Sequence, residues 1–239
     1  MEAFILAAGL GTRLQPLTNT RPKALVEVGG TTLLERNIAN LSKFGFKRIV
    51  VNIHHFPDMM TEFLNTHHFD AEILISDERD KLLDTGGALK KASKLFSGTV
   101  PIMIHNVDIL SSINLKDAYD RHVRDGNFAT LLVSRRKTSR YLLFGENGTL
   151  AGWENTAKNE ILWTDTPLQS TKRMAFSGIH IVNPELLEML PPEDTYPIIP
   201  EYLRLAKDHK IQGLEHPAGD WLDVGKPETL KLAESFVER

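Results

Sequence analysis

A short apolar run, Phe4–Ala8, empties into two glycines and then three cations: Gly9, Gly11, Arg13, Arg21 and Lys23 follow in quick succession. Glycine has no Cβ, so backbone amides there can turn inward and meet an anion closely. Arginine's planar fork suits phosphate oxygens, and lysine acts as a point charge. The amides of Ala7, Ala8, Gly9, Gly11 and Thr12, with Arg13 and Lys23, are therefore candidates for holding an anion such as phosphate. Phosphoryl chemistry needs positioning and charge neutralisation, commonly with magnesium on one or two carboxylates. Ligands of open α/β sheets bind at the carboxyl ends of strands, so aspartates at such ends come next. Asn106-Val107-Asp108 follows the apolar run Val100–Ile104, and Asp220 and Asp223 stand in Gly219-Asp220-Trp221-Leu222-Asp223-Val224-Gly225-Lys226-Pro227. Spacing alone does not choose between Asp220 and Asp223. Leu83-Asp84-Thr85-Gly86-Gly87-Ala88-Leu89 opens a helical pattern. There Gly86 and Gly87 would let backbone approach a planar ligand, and Thr85 is the natural cap.

Two well-known phosphate motifs fail on their own terms. The dinucleotide fingerprint needs a third glycine where this chain has Leu14, and neither glycine opens the spacing of a P-loop. The string Leu6-Ala7-Ala8-Gly9-Leu10-Gly11-Thr12-Arg13-Leu14-Gln15-Pro16-Leu17-Thr18, with Pro22-Lys23 after it, instead resembles the signature of the sugar-1-phosphate nucleotidyltransferases. That resemblance implies a Rossmann-like nucleotide-binding fold. It also implies the reaction of an NTP with a sugar 1-phosphate to give an NDP-sugar and pyrophosphate.

The same resemblance distributes roles along the chain. Asp108 and Asp223 would hold Mg2+, Asp223 being selected by the family's Trp-x-Asp-x-Gly segment. Arg13 and Lys23 would act on the phosphates, and Gly86, Gly87 and Asn106 would complete the nucleotide site. Gly178, in Phe176-Ser177-Gly178-Ile179, would leave room for the pyranose, with Glu154 and Asp223 also on the sugar. Two positions depart from the family pattern: Val107 stands where it has glycine, and Asn155 where it has lysine. Within the family, Thr85-Gly86-Gly87 and Trp221-Leu222-Asp223-Val224-Gly225 look most like the enzymes that join UTP to N-acetylmuramate 1-phosphate in cell-wall recycling. Mannose-1-phosphate guanylyltransferases and other hexose or heptose enzymes are the rivals, and a non-catalytic nucleotide-sugar sensor is the alternative of another class.

These residues need a scaffold, and the patterning supplies one. Short β-rich runs alternate with helical patterns in the first half: strands at Ala3–Ala8, 48–53, 71–76 and 100–104, helices at 33–44, 57–65 and 84–96. Such alternation predicts βαβ units and a mainly parallel sheet with helices on both faces. The second half adds strands at 128–134, 141–145, 150–154 and 175–182, read as a small antiparallel sugar-binding lobe, and helices near 184–190, 198–207 and 227–238. The polar stretch from 155 to 173 reads as a mobile loop. The expectation is one catalytic domain over 1–239, its nucleotide part over about 1–125 and its sugar part over about 126–239.

The chain has 239 residues, 41% hydrophobic and 25% charged, which excludes disorder. A net charge of −3 is no footprint for nucleic acid. With no cysteine there is no disulfide, thiolate metal site or cysteine nucleophile. No run reaches the length of a membrane span, and no targeting segment is legible, so the expected location is the cytoplasm. Nine histidines include the pairs His54-His55 and His67-His68, whose neighbours point to opposite faces of a strand and so make a poor zinc site. The run Asp77-Glu78-Arg79-Asp80 reads as a solvated face, and Trp153, Trp163 and Trp221 as packing groups.

Overall fold

The apolar run at the start forms β1 (Glu2–Leu6), and its alternation divides the core. Phe4 faces one hydrophobic layer while Ala3 and Ile5 face the other. A strand buried on both sides must be apolar at every position, which is why this segment reads as continuous rather than alternating. The computed structural model describes residues 1–238; Arg239, the last residue of the expected domain, lies outside them.

After β1 come β2 (Glu27–Val28), β3 (Thr31–Thr32), α1 (Leu33–Lys43), β4 (Arg48–Ile53), α2 (Pro57–Thr66), β5 (Glu72–Asp77), α3 (Asp84–Ala92) and β6 (Ile102–Asn106). β4 and β6 flank β1 in parallel, and β5 pairs with β4 in parallel. α1 begins where expected, because the Thr32 hydroxyl accepts from the Glu35 amide at 3.1 Å. Its apolar face, Leu33, Leu34, Ile38 and Leu41, covers the layer of Ala3 and Ile5, while Ala88, Leu89 and Ala92 of α3 cover the layer of Phe4.

The second half carries β7 (Ile109–Ser111), α4 (Leu115–Arg124), β8 (Ala129–Ser134), β9 (Arg140–Phe144), β10 (Leu150–Asn155), β11 (Glu160–Trp163) and β12 (Lys172–Val182). It closes with α5 (Glu185–Glu188), α6 (Ile198–Leu205), β13 (Ile211–Glu215), β14 (Trp221–Asp223) and α7 (Pro227–Val237). The long β12 joins the halves: Ile179–Val182 run antiparallel to β6, and Lys172–Met174 run antiparallel to β9. The result is an α/β fold around a ten-stranded mixed sheet, ordered β11-β10-β9-β12-β6-β1-β4-β5, with β8 and β13 branching from β12.

One expected loop is partly a strand. Within 155–173, Glu160–Trp163 pair antiparallel with β10, Trp163 opposite Gly152. Asn155 starts the turn between them, its side-chain oxygen accepting from the Ala157 amide at 3.2 Å. The strand escaped notice because it is an edge: its residues are largely exposed and show no buried face to set a period. No helix among the described residues is long and apolar enough to cross a membrane.

Candidate active site

Two three-residue strands bring the aspartates together. β7 and β14 pair antiparallel with Asp223 opposite Ile109, and the Val224 amide donates to the Asp108 carbonyl at 2.9 Å. Asp108 thus sits two residues past the carboxyl end of β6, just before β7, with Asp223 beside it. Val107 needs no glycine there: its backbone φ is not positive, its amide donates to the Leu6 carbonyl at 3.1 Å, and its side chain is wholly buried.

The cations arrive from the loop after β1. Lys23 Nζ lies 2.9 Å from Asp108 Oδ2, and an Arg13 guanidinium nitrogen lies 3.9 Å from the same oxygen. A third feature was not anticipated. A Cβ on Gly225 would lie 2.7 Å from Arg13 Nη2, 2.8 Å from Asp223 Oδ1 and 3.0 Å from Asp108 Oδ2. Gly225 therefore keeps open a point on which both carboxylates and one guanidinium converge.

That opening tests the expected cation. Among the described residues no group of three or more His, Asp or Glu side chains converges. A cation between two carboxylates must take its other ligands from water and phosphate, which is the habit of magnesium rather than of zinc or calcium. The donor set and the space over Gly225 fit it.

The glycine loop leaves backbone amides free, with one boundary moved from the expected one. Gly11 is left-handed, φ 66°, and a Cβ there would strike Thr18 Cγ2 at 2.8 Å, while Thr18 Oγ1 donates to its carbonyl at 2.8 Å. Among the described residues the amides of Gly9 and Gly11 have no acceptor. Those of Ala7 and Ala8 do: Asn52 Oδ1 accepts both, at 2.6 and 3.3 Å. The amides left free for an anion therefore begin at Gly9, and Ala7 and Ala8 are tied to β4 instead. Thr12 is exposed at the start of a 3₁₀ turn carrying Arg13.

Asn52 leads to a residue that sequence reasoning placed wrongly. Its amide nitrogen donates to Glu78 Oε1 at 2.8 Å, the Leu83 amide donates to Glu78 Oε2 at 3.3 Å, and His54 Nδ1 donates to the Glu78 carbonyl at 2.7 Å. Glu78 is buried, not solvated, and burial raises its carboxyl above the usual range. The signal was the alternation of β5: Ser76 points inward, Asp77 outward and Glu78 inward again. Asn52, Glu78, Gly9, Lys23, Asn106 and Asp108 line one cleft of about 490 Å³.

Several expected roles fall to other tasks. The Gly86 and Gly87 amides both donate to the Tyr196 carbonyl, and a Cβ on Gly87 would lie 1.9 Å from the Asp194 carbonyl oxygen. The pair is packed under the 194–196 segment and does not open on the cleft. Thr85 does not cap its own helix; its hydroxyl accepts from the Ile198 amide at 2.9 Å, capping α6. The space over Gly178, φ 71°, is taken by the Asn106 side chain, whose nitrogen would be 2.7 Å from a Cβ there, rather than left for a sugar. Glu154 is buried in an ion pair with Arg173, 2.6 Å apart, on the face of β10 opposite Trp153. Arg21 turns away toward Glu27, at 3.9 Å.

Arg136, which no motif pointed to, is held against the β7–β14 pair. Its guanidinium carbon is 4.2 Å from the Trp221 ring centroid, and Trp221 Nε1 donates to the Ser177 carbonyl at 2.7 Å.

Comparison with known proteins gives the family. Residues 2–239 match the family described as Nucleotidyl transferase. The N-acetylmuramate alpha-1-phosphate uridylyltransferase of Caulobacter vibrioides is 32% identical over 238 residues, covering 98% of this chain and 95% of that protein. The mannose-1-phosphate guanyltransferase of Debaryomyces hansenii is 30% identical over 236 residues; 95% of this chain spans 62% of that protein. Among solved structures, HddC from Yersinia pseudotuberculosis superposes with a TM-score of 0.75 at 20% identity, covering 98% of each chain. A UDP-glucose pyrophosphorylase complexed with UDP-glucose gives 0.78 at 15% identity, over 100% of this chain and 99% of that one. The chain belongs to the nucleotidyl transferase family and is an enzyme of the sugar-1-phosphate nucleotidyltransferase class.

Proposed function

We propose that the protein transfers a uridylyl group from UTP to N-acetylmuramate 1-phosphate, releasing pyrophosphate, as a single cytoplasmic catalytic domain serving cell-wall recycling. The observation that carries the transfer chemistry is the convergence of Asp108, Asp223 and Arg13 on the open point at Gly225, with Lys23 on Asp108. The choice of substrate pair rests on the similarity to the Caulobacter protein over nearly the full length of both chains.

An oxygen of the sugar 1-phosphate attacks the α-phosphorus of the nucleotide. The bond from that phosphorus to the bridging oxygen of the β-phosphate breaks, and its electron pair leaves with pyrophosphate. Arg13 and the Gly9 and Gly11 amides hold the departing charge, the nests and forks that phosphate oxygens favour. Lys23 neutralises the α-phosphate and the incoming phosphate, which would otherwise repel each other. Asp108 and Asp223 would hold magnesium, which when bound supplies Lewis-acid neutralisation of the reacting phosphates. Asn52 and Glu78 shape the cleft beside Asn106, where the nucleoside lies.

A crossed panel of four nucleoside triphosphates and several sugar 1-phosphates, read by pyrophosphate release with and without magnesium, tests the proposal. UTP with N-acetylmuramate 1-phosphate is expected to give the highest kcat/KM. A preference for GTP and mannose 1-phosphate would replace the substrate assignment, and silence on every pair would replace transfer by sensing.

A further inference from the structure

Arg136 is a cation without a carboxylate. One of its terminal nitrogens donates to the Phe176 carbonyl at 2.6 Å, while Nε is buried with no partner. Asp223 acts on it through space, but among the described residues no Asp or Glu reaches ion-pairing distance of it. Arg140 is likewise unpaired, at the exposed rim of the same hollow. That hollow, about 460 Å³, is walled by Tyr141, Trp153, Phe176 and Leu203.

A half-buried guanidinium against aromatic walls and short of acceptors, as Arg136 is, is costly unless something supplies an anion. A guanidinium's two parallel N–H groups match a carboxylate in geometry as well as charge. The aromatic walls suit the apolar face of a sugar ring. The cavity also adjoins the reaction centre, since Arg136 lies on Trp221, two residues before Asp223.

Resting on the transfer reading above, we propose that this cavity is the sugar subsite and that Arg136, with Arg140 at the rim, reads a carboxylate carried by the sugar. Discrimination for an acidic over a neutral sugar 1-phosphate then lies in these side chains and not in Glu154 or Gly178, whose contacts are taken within the protein.

The test compares N-acetylmuramate 1-phosphate with N-acetylglucosamine 1-phosphate, which lacks only the lactyl ether. In the intact protein, Arg136→Gln is expected to cut the acidic-to-neutral ratio of kcat/KM by roughly 10- to 100-fold, mostly through KM, the loss of a charge-assisted hydrogen bond. Arg136→Lys should recover part of it, and Arg140→Gln should give a smaller fall. An unchanged ratio, or equal loss on both sugars as for a contact to the 1-phosphate, would overturn the proposal.

Tryptophan fluorescence, reporting from Trp153 and Trp221, gives a readout that needs no turnover. Free N-acetylmuramate should give a saturable change that N-acetylglucosamine does not, and Arg136→Gln should abolish it. Binding of the acid with no turnover of any sugar would overturn transfer and keep the acid subsite. Turnover of neutral sugars without acid binding would do the reverse.

Discussion

Lys23 Nζ touches Asp108 Oδ2 at 2.9 Å, although the two stand 85 residues apart in the chain and each side chain is mostly out of water. A carboxylate held this way is fixed in direction before any phosphate arrives. Asp108→Asn and Lys23→Met are each expected to lower kcat about 100- to 1,000-fold, the scale of losing one preorganised charge or donor. Pyrophosphate release measures this, with circular dichroism melts to verify the fold. Chelation of divalent cations should abolish activity in the wild type and magnesium should restore it. Near-normal turnover in either variant would sink the assignment.

Gly225 supplies a sharper test, because it contributes no group at all. Gly225→Ala places a methyl within 3.0 Å of Arg13, Asp223 and Asp108. Activity and magnesium affinity should both fall at least about tenfold, since misplacing reacting groups by an ångström is already expensive. Gly219→Ala is the control: nothing lies within 4 Å of its Cβ position, and its kinetics should match the wild type.

Gly87 is expected to report on stability instead. A Cβ there would sit 1.9 Å from the Asp194 backbone oxygen, a collision with main chain that cannot swing aside. Gly87→Ala should cost about 1–3 kcal/mol and lower Tm by several degrees. Were the glycine pair a contact to the base, the variant would instead raise KM for the nucleotide and leave Tm alone.

Acid should loosen the sheet centre. His180 and His105 lie on neighbouring strands, both buried, and burial lowers their imidazoles to about 3 and about 4. Among the described residues neither ring nitrogen of His180 has a hydrogen-bond partner, and Tyr202 and Phe176 close over it. The unfolded chain binds protons near pH 6.5 that the folded chain refuses. Stability is therefore full above about 6.5 and is lost as pH falls toward about 4, by up to about 1.4 kcal/mol per pH unit for each histidine. Tm measured from pH 7 to 4 should show this slope, and His180→Phe should make it shallower.

The scaffold was legible wherever a segment repeated a period against a core. Arg48–Ile53 and the Thr32-capped helix fall where patterning puts them, because their apolar spacing is the cause of their burial. Asp108 was legible from its place after an apolar strand. Asp223 was separable from Asp220 only through the resemblance. What physically distinguishes it is the pairing of β14 with β7, and three residues are too few to show a period. Glycines misled for a related reason. A sequence says that a side chain is absent, not what occupies its place: at Gly86 it is Tyr196, at Gly178 it is Asn106, and at Gly225 it is the meeting of charges. Arg136 and Glu78 carried no motif because their partners, a ring and an amide, are distant in the chain.

The short β7–β14 ladder also sets an order of events during synthesis. Asp108 leaves the ribosome with the first half of the chain, but its companion and the Gly225 opening arrive only with the segment that precedes α7. A chain that stops short of residue 221 carries Asp108 without Asp223. The pair is complete only once residues 221–225 are in place, and α7, which follows them in the chain, packs against β14 and closes that edge.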